Sequence, residues 1–109
     1  MISTIIGNWL FNYSFLSRNK IEKACNVPQG TLSRAINGRS AIPSHHIMDI
    51  LNVLCDYGFH YNGYRFIVNS HSGQIEVFDH SLVKIDTVYH LSDIESTINI
   101  IDSRIAVSR

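Results

Sequence analysis

No run of apolar residues in this 109-residue chain is long enough to cross a bilayer. The opening residues, MISTIIGNWLF, lack both a basic n-region and a small-residue cleavage site, so they read as part of the fold and not as a secretory signal. A cytoplasmic location is the expectation that follows. Cysteine is scarce. Cys25 and Cys55 are the two, each in an apolar helical pattern and without Cys-x-x-Cys spacing. Two buried thiols in a reducing compartment fit that pattern, with a Cys25–Cys55 disulfide left open. Net charge is absent too, nine basic residues balancing nine acidic ones. No nucleophile elbow, paired acidic cleft or phosphate loop occurs, so no enzymatic activity is expected. The six histidines show no ligand spacing. His45 and His46 are adjacent and leave a helix about 100° apart, and His60, His71, His80 and His90 fall in strands or turns. Neither a metal nor a cofactor is expected. Internal repeats and low-complexity linkers are missing as well.

What the chain does have is apolar content of 45%, enough for a core in one compact domain or a domain with a small appendage. Its charge is also unevenly placed. Residues 1–48 carry Arg18, Lys20, Lys23, Arg34 and Arg39 against Glu22 alone, a surplus of four positive charges. Residues 49–109 carry four basic and eight acidic residues, a surplus of four negative charges. A local basic patch is what phosphate binding needs, whatever the total.

The spacing predicts four helices in the first sixty residues. Ile5, Ile6, Trp9, Leu10 and Tyr13 recur at helical intervals after a possible Ser3 cap. In SRNKIEKACNV, Ser17 or Asn19 can cap the second helix, with Glu22 at capping-box distance from Asn19. Ile21, Ala24 and Cys25 would face inward. Asn26 suits a left-handed helix end, Val27 a buried corner and Pro28 the start of the next helix. The third helix spans about Gln29 to Ile36, with Leu32, Ala35 and Ile36 inward and Gln29, Gly30, Ser33 and Arg34 outward. Asn37-Gly38 stops it. Ser44 caps a fourth helix, whose stripe is Ile47, Ile50, Leu51, Leu54 and Cys55, and Gly58 ends it.

Beyond Asn62-Gly63 the period changes to two. Tyr64, Phe66 and Val68 alternate with Arg65, Ile67 and Asn69; Ile75 and Val77, then Val83, Ile85, Thr87 and Tyr89, suggest two more strands. Ser92-x-x-Glu95 is spaced as a capping box for a last helix lined by Ile94, Ile98, Ile101 and Ile105. The expected class is α+β: a four-helix unit over 1–59, then a three-stranded antiparallel sheet and a C-terminal helix over 60–109.

Two helices joined by a tight turn, the second short and polar outside, make a helix-turn-helix. A helix entering the major groove, about 12 Å wide, needs outer side chains that are small or able to reach base edges. The ordered set Ile21, Asn26-Val27, Leu32, Asn37-Gly38-Arg39 and Pro43-Ser44 resembles the lambda-repressor-like, Cro/Xre-type helix-turn-helix family over residues 17–58, and less distinctly from residue 3. Asn26 stands where the family usually has Gly, and Ala35-Ile36 where it often has Trp or Leu followed by Glu.

The resemblance implies a bacterial or phage transcriptional regulator, a repressor for example, that binds double-stranded DNA. It puts Gln29, Gly30, Ser33 and Arg34 against bases, and Arg18, Thr31, Asn37, Arg39 and Ser40 against phosphates. Gly30 removes one base-reading side chain, which leaves specificity low or supplied by DNA shape. It also implies a homodimer, for which residues 60–109 are the expected interface; a wing touching the backbone through Arg65 or Lys84 is the alternative. A protein-interaction adaptor that uses the fold as scaffold, without DNA, is the competing reading.

Overall fold

The computed structural model describes residues 2–107 and is an α+β structure of five helices and one four-stranded antiparallel sheet. In chain order the elements are α1 (Ile2–Asn12), α2 (Arg18–Cys25), α3 (Thr31–Ile36), α4 (Ser44–Asp56), β1 (His60–Tyr61), β2 (Tyr64–Val68), β3 (Ile75–Phe78), β4 (Lys84–Val88) and α5 (Leu91–Val107). None of the helices among the described residues is long and apolar enough to cross a membrane.

Local chemistry accounts for several helix ends. Ser17 caps α2, its hydroxyl accepting the Lys20 N–H at 3.3 Å. Asn26 closes the same helix at φ 57°, the left-handed conformation that Asn tolerates better than other non-glycine residues. At the end of α4, Phe59 N–H returns to Leu54 O at 3.0 Å around Gly58 at φ 86°, so the helix closes where a glycine permits it. Ser3 does not cap α1. It lies within the helix, and its hydroxyl accepts the Ile42 N–H at 2.8 Å, tying α1 to the loop before α4. Pro43, not Ser44, precedes α4, and no side chain bonds that helix end.

The sheet has four strands where three were expected. Asn62 at φ 51° and Gly63 at φ 86° form a two-residue hairpin turn, and the positive φ at both positions matches the right-handed strand twist. The pair therefore joins β1 to β2, with His60 opposite Arg65 and Tyr61 opposite Tyr64, instead of marking a helix-to-sheet border. Along β2 the alternation holds: Tyr64 and Phe66 are buried, Arg65 and Ile67 exposed. In β4 it does not. Ile75 stands opposite Val88 and Val77 opposite Asp86, and the ladder with β3 slips beyond them, between Val77 and Phe78. Val88 is consequently buried, whereas Val83 and Tyr89 are exposed. Asp86 is turned toward α5, where its carboxylate accepts the buried Thr97 hydroxyl at 2.6 Å.

Helix α5 carries the expected stripe, with Ile94, Ile98 and Ile101 buried and Ile105 half-buried. Its cap differs. Asp93, not Ser92 with Glu95, holds the entry: one carboxylate oxygen accepts the Tyr89 N–H at 2.9 Å and the His90 N–H at 2.8 Å. These bonds hold the Asp93 carboxyl below its ordinary pKa of 3.8.

One hydrophobic core runs from Ile2 in α1 to Ile101 in α5 and crosses the expected border at residue 59. Phe59 and Phe66 meet edge to face at 5.2 Å in its middle. A chain of this length gains most by pooling the apolar faces of helices and sheet, because the fraction of surface buried rises with core size.

Candidate functional site

Helices α2 and α3 are joined by Asn26–Gly30, and this joint holds the densest set of polar contacts in the basic half. The third helix starts two residues later than its sequence predicts. Pro28 and Gln29 lie in the turn, Gly30 stands at the N-cap position with φ 90°, and the helix begins at Thr31. Gly30 has no side chain with which to bond the free N–H groups of the first turn.

Glu22 of α2 supplies the missing acceptor. Its Oε1 takes the Gly30 N–H at 3.2 Å and its Oε2 the Leu32 N–H at 2.9 Å. The carboxylate thus caps α3 across the joint, where its charge also suits the positive end of the helix dipole. The expected pairing of Glu22 with Asn19 is not what forms. Glu22 is only 2% exposed, while Ala24, expected inside, faces solvent. The α2 stripe is rotated to bring Ile21, Glu22 and Cys25 inward.

The residues expected to face bases are divided by their surroundings. Gln29 is exposed in the turn. Gly30 is half-buried, and a Cβ placed on it would come within 3.0 Å of Arg34 Nη1, so the glycine leaves room for that guanidinium. Arg34 is exposed and leans toward the start of its own helix, as helical side chains do. Ser33 is half-buried, its hydroxyl accepting from Arg18 Nη1 at 3.4 Å.

Of the residues expected to meet phosphate, Asn37, Arg39 and Ser40 are exposed beyond α3. The Arg39 N–H bonds Arg34 O at 2.9 Å and closes the helix end, with Gly38 at φ 70° making the turn. Arg18 is half-buried at the first position of α2. Thr31 requires a correction: it is 4% exposed and its hydroxyl donates to Pro28 O at 2.7 Å, so it stabilises the turn and is withdrawn from the phosphate contacts.

Underneath, Leu32 is fully buried and Ala35 and Ile36 are half-buried. Helix α1 crosses them at Gly7, where a Cβ would approach Ala35 O to 3.1 Å. The cations Lys20, Lys23, Arg34 and Arg39 remain exposed, and none of them, nor Arg18, forms an ion pair among the described residues. The single acid between Arg18 and Ser40 is the buried Glu22. The exposed charges of this segment are therefore all positive.

The His45 and His46 rings approach to 4.0 Å between centroids despite their diverging Cβ directions. No group of three or more His, Cys, Asp and Glu among the described residues is arranged to hold a metal ion. Cys25 and Cys55 are free thiols. The contacts that sequence reading missed, Glu22 with Gly30 and Leu32 and Arg18 with Ser33, join residues 8 to 15 positions apart. No local pattern marks pairs at that separation. No family model, curated protein or solved structure matches the chain.

Proposed function

We propose that the chain is a DNA-binding regulator of the lambda-repressor-like type, which lays α3 in the major groove of duplex DNA. The observation that carries this reading is the cationic segment Arg18–Ser40, whose one acid is consumed beneath it as the cap of α3. Gln29 and Arg34 are exposed and would face base edges, while Asn37, Arg39 and Ser40, exposed beyond the helix end, would meet the backbone. Residues 60–109, with six acidic residues against four basic, would be repelled by phosphate and are the part left for a second copy.

An electrophoretic mobility shift with random duplex at low and moderate salt tests the reading. Binding that weakens steeply with salt is expected, because phosphate contacts release counterions. Arg39→Ala should lower affinity for all sequences and flatten the salt slope by ~0.9. Arg34→Ala should relax the preference at one base pair, a contact worth ~1–3 kcal/mol. Wild-type protein that leaves every duplex unshifted at low salt ends the proposal.

A second reading has one specific observation in its favour. Phe11 and Phe15 are 68% and 80% exposed near the end of α1, and large exposed aromatics suit a protein-contact surface. An adaptor built on this face would lose its partner in Phe11→Ser and Phe15→Ser while any duplex binding stayed unchanged.

A further inference from the structure

Arg18 occupies the first position of α2, yet its guanidinium does not stay there. It reaches across the joint, and Nη1 donates to Ser33 Oγ in the middle of α3. Remaining at the α2 terminus would set the cation against the positive end of that helix's dipole. Arg34 meanwhile leans back along α3 into the space that Gly30 leaves by lacking a Cβ. Two guanidiniums, one from each helix, thus lie against the same six-residue helix, that of Arg18 held there by Ser33.

The Ser33 contact uses one of the five N–H donors that a guanidinium offers, and a bidentate approach to guanine O6 and N7 needs two. Ser33 is too short to reach far into a groove by itself, and its hydroxyl already accepts the Arg18 bond. Its position in the middle of α3 suits it to aim a longer side chain.

We propose that Arg18 reads a guanine in the duplex, with Ser33 as its positioning residue, so that a pair of arginines from α2 and α3 carries the sequence preference. This rests on the duplex-binding reading above and replaces a phosphate contact for Arg18 with a base contact.

The test is selection of bound sequences from a random duplex pool, using wild type, Arg18→Ala, Arg18→Lys and Ser33→Ala, followed by salt titration on the selected duplex. The wild-type pool is expected to hold two guanine positions. Arg18→Ala should lose one and keep the other, and Ser33→Ala should weaken that same one with an unchanged salt slope. Arg18→Lys retains the charge but not the planar fork, so it should lose the preference at an unchanged slope. Substituting the guanine should weaken wild type roughly 5- to 150-fold and leave Arg18→Ala nearly unaffected. An Arg18→Ala pool that keeps every preference while its slope falls by ~0.9 makes Arg18 a phosphate contact and overturns the proposal. Arg18→Ala and Ser33→Ala losing preference at different positions overturns it as well. Wild type that binds no duplex defeats the functional reading itself, an outcome separate from binding with a preference that these substitutions leave intact.

Discussion

Replacing Glu22 by Ala removes the acceptor of two backbone N–H groups at once, and the structure sets the size of the loss. The Leu32 N–H bond is buried at 2.9 Å; the Gly30 N–H bond is partly buried at 3.2 Å. A buried donor left without a partner costs ~1–3 kcal/mol, and one that water can reach costs about 1 kcal/mol or less. The substitution should therefore destabilise the protein by ~1–4 kcal/mol. A domain of this length is stable by roughly 5–15 kcal/mol, so the loss is a large share of the total. At about 4 °C per kcal/mol, Tm falls by roughly 4–16 °C. Glu22→Gln keeps one oxygen and turns an amide NH₂ toward the other donor, so it should fall between wild type and Ala. Urea unfolding followed by circular dichroism measures both, and native-state hydrogen exchange at Leu32 reports the site directly. If Glu22→Ala lies within about 0.5 kcal/mol of wild type, or Leu32 keeps its protection, the capping argument fails.

Three further outcomes are expected. The Asp93 carboxyl is held low by the His90 and Tyr89 N–H groups, so its folded pKa lies below the unfolded one. Its contribution is then complete above about 3.8 and is lost as pH falls through the folded value; the stability gap between wild type and Asp93→Ala should close in that acid range and stay constant at neutral pH. A gap that instead changes between pH 6 and 8 would contradict this assignment. Gly7→Val should drive α1 away from Ala35 O, where even a Cβ stands at 3.1 Å, and cost ~1–3 kcal/mol of overpacking on a denaturant curve. The Cys25 thiol is pushed up to about 11, by burial first and then by the Asp49 and Glu22 charges, and the Cys55 thiol to about 12, by burial and then Asp56. Fewer than about one thiol in a thousand is ionised at pH 8, so alkylation should be slow in the native protein and fast in urea; rapid native labelling would refute the burial argument.

The periodicities of α1, α4, α5 and β2 were legible in the sequence, because burial on one face leaves a period of 3.6 or 2 that the residues print directly. Asn26 and Gly58 were legible for a similar reason: a left-handed φ restricts which residue can stand there. The charge split was plain as well. The hairpin at Asn62-Gly63 was also written locally, since Asn-Gly favours such a turn, but the strand before it has two residues and too few positions to show alternation.

The partners of Glu22, Arg18, Ser3 and Asp86 were decided by tertiary structure alone. Each bonds a group between 8 and 39 residues away, and such pairs are set by how helices and sheet pack. The late start of α3 follows from the same cause, because the cap that defines it comes from another helix. The pairing of β3 with β4 belongs here too, since register is chosen between strands and decides which residues of β4 meet the core. The sequence by itself determined where the amphipathic elements lie and where the cations gather; packing decided which polar groups those elements turn toward one another, because a hydrogen bond depends on distance in space and not on spacing along the chain.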